Sequence, residues 1–293
     1  MQVKRTFIPG EEWLYYKIYC GARTSDSILI NTIYPLMKLL IKKRMIDLWF
    51  FIRYHDPDAH IKLRLHVTDI RNIADIMQSF SSTMQSYVTD DIIYKIQLDT
   101  YYRELERYGA NTIHISEELF YHESNMLLES KTLIEDENLY FLFIMKTIDQ
   151  FLNSCNYEMQ EKLSFAVNKR DAFKIEFNAD KTLNKQLDQK YRKIKNDLSN
   201  FLKSTYSQNE FNVLDKIINT KEKVTIKLIQ EIINHNKEGS LEVRFDYLIG
   251  SHIHMLVNRA FRSRQRFYEL VIYDLFCKYY KSDYIKNSLS INS

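Results

Sequence analysis

The sequence predicts an α+β fold, with a mostly antiparallel sheet in a split βαβ-like N-terminal half and a helical C-terminal half. Three observations carry that prediction. Trp49 to His66 (WFFIRYHDPDAHIKLRLH) holds two strand-like runs around an Asp/Pro turn, rich in the aromatic and β-branched residues that suit a pleated surface. Up to Asp99 the segments run strand, helix, two strands, helix, strand, the order of a split βαβ unit whose helices cover one sheet face. Beyond Gly109 the apolar spacing turns helical, and only 5 Gly and 3 Pro interrupt 293 residues. Such a chain needs long regular elements with short connections. The two halves are expected to pack as a single domain over residues 1–293.

Trp13 to Tyr19 reads as the first strand, closed by Cys20-Gly21. A helical stripe follows at Ile28, Leu29, Ile33, Leu36 and Leu40, which Pro35 should bend or divide. In the hairpin, Ile61, Leu63, Leu65 and Val67 alternate with Lys62, Arg64 and His66, so the second set forms a basic row on one strand face. Asp69 is the expected N-cap of a helix to about Tyr87, with Ile73, Met77, Phe80 and Met84 buried. Ile92 to Asp99 alternates as another strand. Ser116 should open the next helix, Glu137 to Asn153 another, and helices should fill Tyr157 to His235. Turns are expected at Asn178-Ala179-Asp180 and Ser207-Gln208-Asn209. Short pieces at Leu241 to Val243 and Phe245 to Gly250 precede a last helix from Ser251 to about Tyr280.

The bulk numbers exclude several function classes. Net charge of +3 gives no electrostatic footprint for duplex DNA. Cys20, Cys155 and Cys277 are odd in number and form no CxxC pair, which argues against a disulfide framework or a zinc site. Leu139 to Met145, the longest apolar run, is far short of the ~20 residues of a membrane span. No secretion signal follows Met1 to Arg5. A soluble, cytoplasmic protein is expected.

Three places could carry chemistry. Lys62, Arg64 and His66 form either a solvated strand face or an anion site, since arginine offers a planar fork to a carboxylate. In Tyr101 to Gly109 (YYRELERYG), Glu104 and Arg107 are three apart and would be neighbours on a helical turn. On spacing that is an ordinary ion pair, with Gly109 as C-cap or tight turn fixing where the arginine points. In Gly250 to Arg259, a helix capped by Ser251 would put His254 and Asn258 on one face. Asn258 could then hold one tautomer of His254, as an acid/base requires, or His254 is a partly buried structural histidine. His252 and His254 do not share a helix face, so they are no metal pair.

Taken in order, Trp13-Leu14-Tyr15-Tyr16-Lys17-Ile18-Tyr19-Cys20-Gly21, the stretch WFFIRYHDPDAHIKLR, YYRELERYG and SHIHMLVNR resemble the elimination domain of class I lantibiotic dehydratases. The same domain occurs in thiopeptide-type bacteriocin biosynthesis. The resemblance spans Trp13 to Arg259, although residues 132–238 carry no motif of it. It implies an enzyme, a lyase that removes glutamate from glutamylated Ser or Thr of a precursor peptide and leaves dehydroalanine or dehydrobutyrine. It implies no cofactor, no metal, no direct contact with nucleic acid and no membrane insertion. The expected partners are the glutamylated precursor peptide and a separate tRNA-dependent glutamylation enzyme, so the domain would act in trans. Monomer and homodimer are both open.

The resemblance also assigns residues. Arg64 and Arg107 match the essential arginines, expected to bind glutamate and stabilise charge. His254 matches the essential histidine, expected to transfer a proton as acid or base. Glu104 matches an acidic residue expected to orient an arginine or assist protonation. Lys62, Asn258 and Arg259 are expected substrate contacts, with Lys62 standing where an arginine is expected. The runner-up is a thiopeptide pyridine synthase, which joins two dehydroalanines in a formal [4+2] cycloaddition on a similar scaffold. Joint retention of Glu104, Arg107 and His254 favours elimination. A third reading is a scaffold that only holds the peptide.

Overall fold

The alternation along Ala59–Val67 (β4) decides how the N-terminal half is built. Ile61, Leu63, Leu65 and Val67 are each at most 3% exposed, because period-two geometry turns all four to one face. The computed structural model describes residues 3–204 and 209–291. In it β4 is an inner strand of a four-stranded antiparallel sheet, ordered β3 (Ile46–His55), β4, β2 (Trp13–Cys20), β5 (Ile93–Leu98). Register pairs Tyr15 and Phe50 with Arg64, and Lys17 and Ile52 with Lys62. The apolar face packs on α1 (Thr24–Ile28), α2 (Tyr34–Lys42) and α3 (Ile73–Thr89) in one core that includes Leu14, Ile18, Leu36, Trp49, Phe51 and Phe80. This is the split βαβ arrangement, with helices on one sheet face. A two-stranded pair, β1 (Thr6–Phe7) with β6 (Tyr101–Tyr102), lies outside that sheet.

Several boundaries differ from expectation. Pro35 does divide its helix: a π-helical turn, Leu29–Ile33, separates α1 from α2, where Pro35 occupies the first turn and its missing N–H costs nothing. Asp69 caps a 3-10 turn, Ile70–Asn72, by accepting from the Arg71 N–H at 2.9 Å, and α3 begins after it. The buried stripe of α3 is Ile76, Phe80 and Met84, and Met77 is exposed. The following strand starts at Ile93, with Ile92 in the turn. Helix α4 (Leu105–Tyr108) ends at Gly109 with φ 72°, a conformation that favours glycine. Ser116 does not open the next helix. Helix α5 runs Ile113–Lys131, and the buried Ser116 hydroxyl donates back to the Thr112 carbonyl at 2.9 Å.

The chain forms two compact units. The first is Met1–Glu135 with Gln230–Ser263, and the second is Asp136–Ile229 with Arg264–Ser293. The second unit is helical: α6 (Glu137–Ser154), α7 (Met159–Glu176), α8 (Lys181–Leu202), most of α9 (Asn209–Lys237) and α11 (Gln265–Ile291). Asp136 and Asp180 cap α6 and α8, so the turn at Asn178-Ala179-Asp180 is present. Ser207-Gln208 lie outside the described residues. Within this unit a buried Lys162–Asp149 pair at 2.8 Å also receives the Tyr280 hydroxyl at 2.7 Å.

The expected helix at Ser251 is one turn and more too late. Helix α10 spans Phe245–Ala260, and Ser251 is interior to it, its hydroxyl donating to the Tyr247 carbonyl at 2.9 Å. Gly250 reads as a breaker in isolation, but this helix is buried on most sides, and packing outweighs the ~1 kcal/mol propensity cost of glycine. A break at residues 261–264 then separates α10 from α11.

Candidate functional site

The second face of the sheet is where the expected site residues gather. Arg64 projects from β4 onto this face and is 8% exposed. Its guanidinium lies against three rings, Tyr15 at 4.6 Å, Tyr101 at 4.8 Å and Phe50 at 5.3 Å. Its Nε and Nη1 have no hydrogen-bond acceptor among the described residues. Rings attract a cation by their faces but accept no strong hydrogen bond, so Arg64 is held in place with N–H groups unused. Tyr101 is itself fixed, its hydroxyl donating to Glu117 at 2.7 Å. Burial, with the Glu117 charge, pushes that phenol well above its ordinary pKa.

The other buried arginines of this unit are differently placed. Arg103 gives Nε and Nη2 to Glu117 at 2.8 and 2.7 Å and Nη1 to the Lys4 carbonyl at 3.0 Å. Arg53 donates to Asp26, to Ser25 and to the Arg259 carbonyl. Arg259 is 0% exposed, gives Nε to the Phe51 carbonyl at 2.9 Å and Nη1 to Glu123 at 2.8 Å, and lies over the Phe120 ring. These bonds tie α10 and α5 to β3.

The expected basic row is not uniform. Lys62 is half-buried with Nζ 3.2 Å from the centre of the Tyr54 ring. Burial, then the Arg64 and Lys17 charges, push its pKa down to about 8, against the upward pull of Glu104 and Asp56. His66, at the far end of β4, pairs with Asp47 at 2.6 Å and tilts on Trp13, so its ring is engaged there.

Glu104 and Arg107 do meet, at 3.2 Å. Burial pulls the Arg107 pKa down, but Glu104 and Tyr108 outweigh it and hold the guanidinium above its ordinary value. Glu104 also acts on Lys62, and Tyr247 of α10 on Arg107. Glu104 and Arg107 are therefore within electrostatic reach of Lys62 on β4 and of Tyr247 on α10.

On α10, every residue from Leu248 to Ala260 is buried except His254 and Asn258. Spaced i, i+4, these two share one face, the single window of that stretch toward solvent. The Asn258 amide is engaged with the neighbouring strand. Its Oδ1 accepts from the Arg53 N–H and its Nδ2 donates to the Arg53 carbonyl, both at 2.9 Å. β3 is an edge strand, and Asn258 satisfies backbone groups there that no strand pairs. Because Ile52 faces Lys62 across the sheet, the contact anchors the His254 face of α10 at the edge one strand from Lys62. The rings around Arg64 were missed in the sequence. The signal that could have found them is register, since Tyr15 and Phe50 stand opposite Arg64.

Among the described residues no group of three or more His, Cys, Asp or Glu could hold a metal ion, and no helix is long and apolar enough to cross a membrane. The three cysteines are buried and free.

Comparison with known proteins adds the lineage. The chain is 25% identical over 239 residues to the nisin biosynthesis protein NisB of Lactococcus lactis subsp. lactis, which covers 73% of this chain and 24% of NisB. It is 23% identical over 188 residues to the subtilin biosynthesis protein SpaB of Bacillus subtilis, covering 61% and 18%. The chain thus spans about a quarter or less of these curated relatives. In fold it is similar to the tRNA-dependent lantibiotic dehydratase MibB of Microbispora sp. 107891, with TM-score 0.71 and 15% identity, covering 96% of this chain and 29% of that one. It is also similar to the pyridine synthase TbtD from thiomuracin biosynthesis, with TM-score 0.66 and 10% identity, covering 92% and 99%. Residues 13–280 match the family described as lantibiotic biosynthesis dehydratase C-term, and the chain belongs to that family.

Proposed function

We propose that this chain is a lyase that eliminates glutamate from glutamylated Ser or Thr of a ribosomally made precursor peptide, acting in trans with a separate tRNA-dependent glutamylation enzyme. One observation carries the reading: a buried arginine caged by rings, with two N–H vertices lacking an acceptor among the described residues. The reaction makes the acceptor those vertices suit. As the Cβ–O bond breaks, the ester oxygen becomes half of a carboxylate, and a charge-assisted fork strengthens as that charge grows. Arg107, oriented by Glu104, supplies a second cation at the site. His254, in the solvent-facing window of α10, transfers a proton during the reaction. Asn258 and Arg259 serve by seating α10 on β3. The working unit is the single domain over residues 1–293, in the cytoplasm.

The second reading is the [4+2] cycloaddition, supported by the likeness in fold to TbtD. It expels no glutamate and so has no use for a caged fork that awaits a carboxylate. The test is to incubate a peptide carrying glutamyl esters on Ser or Thr with this protein alone and follow its mass. Loss of one glutamic acid per site, leaving dehydro residues, is the expected result. An untouched glutamyl peptide, together with ring closure of a peptide holding two dehydroalanines, would replace elimination by cycloaddition.

A further inference from the structure

Of the three rings around Arg64, two are placed by the sheet. Tyr15 and Phe50 stand opposite Arg64 on β2 and β3. Tyr101 belongs to β6, a two-residue strand paired with β1 outside that sheet. Its ring meets the other two edge-on, Phe50 at 6.4 Å and Tyr15 at 6.5 Å, and meets Trp13 at 5.2 Å. A shift of Tyr101 therefore disturbs the whole cage. Its hydroxyl ends on one buried carboxylate. Glu117 of α5, 1% exposed, accepts the Tyr101 hydroxyl and Arg103 Nε on Oε1, at 2.7 and 2.8 Å, and Arg103 Nη2 on Oε2 at 2.7 Å.

This bonding exceeds what the cage requires for its packing. A phenylalanine at 101 would meet Arg64 with the same ring and bring no hydroxyl into the interior. What the hydroxyl adds is direction. The clamp also reaches toward the second cation. The Arg103 backbone N–H donates to the Arg5 carbonyl at 2.9 Å, and its Nη1 to the Lys4 carbonyl at 3.0 Å. The next residue is Glu104, which pairs with Arg107. Residues 101–104 thus run from the ring on Arg64 to the carboxylate on Arg107, and Glu117 grips the first and third of them.

We infer that Glu117, acting through Tyr101 and Arg103, is a positioning residue that sets Arg64 and Arg107 for one leaving glutamate, an inference that rests on the elimination reading above. Its contribution is geometric. Arg64 must meet a carboxylate whose charge grows as the Cβ–O bond breaks. An arginine held out of line therefore loses transition-state stabilisation more than substrate binding. A misplacement of about 1 Å costs on the order of 10²-fold in rate.

The test is a set of variants assayed on the glutamyl-ester peptide, with thermal melting for integrity. Tyr101→Phe keeps the ring and removes the hydroxyl bond. It should fold and lower kcat by about 10–10²-fold, with KM changed only about a few-fold. In an Arg64→Lys background, where the fork is already lost, the same substitution should cost less than about two-fold, because both changes remove one effect. Glu117→Ala should lose at least as much as Tyr101→Phe. Formate should restore part of its kcat, since Glu117 and Arg103 line a cavity of about 450 Å³ that admits a small carboxylate. Formate should do nothing for Tyr101→Phe. Should Glu117→Ala not fold, the Tyr101 comparison in the two backgrounds carries the test. Wild-type kcat in Tyr101→Phe overturns the inference and leaves elimination standing. So does an equal loss from Tyr101→Phe in both backgrounds, which would make Tyr101 a residue of the fold that acts independently of Arg64. A wild-type protein that releases no glutamate from the peptide removes the elimination reading itself, and the positioning role with it.

Discussion

The β3 edge and the neighbouring strand β4 hold buried arginines of different character. At the β3 edge, Arg53 donates to Asp26, to Ser25 and to a carbonyl, and Arg259 gives Nε to a carbonyl and Nη1 to the Glu123 carboxylate, its Nη2 alone lacking an acceptor among the described residues. One strand inward, Arg64 is buried too, at 8% exposed, but it lies against three rings and has no carboxylate partner, whereas the other two each hold one. A buried cation without an ion-pair partner is costly to hold, so folding alone would favour an apolar residue at 64. The difference teaches which arginine the fold uses and which one it keeps ready for an anion.

The contrast can be broken by substitution, and the largest effect should fall on stability. Arg259→Met strands Glu123 without its cation in a dry interior and should lower stability by about 3–5 kcal/mol, read as a drop in denaturation midpoint. Arg64→Met removes a cation that pairs with no carboxylate, so its midpoint should be equal to or above wild type. If the two variants melt alike, the division between structural and ready arginines fails.

Next in size is His254→Ala, which should fold normally and lower the elimination rate by about 10²–10⁴. Full activity in that variant would end the proton-transfer role. Arg107→Lys keeps charge but loses the fork, and a charge-assisted bond worth about 1.5–3 kcal/mol corresponds to a loss of roughly tenfold to a hundredfold in kcat/KM. A fully active Arg107→Lys would mean that charge alone suffices there. Asn258→Ala should cost about 1–3 kcal/mol of stability by leaving the Arg53 backbone groups unpaired. Its pH profile should keep the wild-type shape, and a shifted profile would instead return Asn258 to the tautomer role.

Much of this was legible in the sequence where the determinant is local. The alternation in β4, the Glu104–Arg107 spacing and the i, i+4 pair His254 and Asn258 each report a geometry fixed within a few residues. What escaped is long-range. Nothing near Asn258 announces that its amide will cap a strand edge 205 residues away. Glu117 and Glu123 look like ordinary helix-surface glutamates, yet they are 1% and 2% exposed because buried arginines meet them there. Ser251 and Gly250 look like a helix start, since their burial is decided by elements from the other end of the chain.

The most direct measurement of the central claim sets wild type and Arg64→Met side by side on one glutamyl-ester peptide, with mass spectrometry for product and thermal melting for integrity. Wild type should shed glutamate, and Arg64→Met should leave the peptide glutamylated while melting no lower than wild type. An Arg64→Met protein that eliminates glutamate at the wild-type rate would contradict the account.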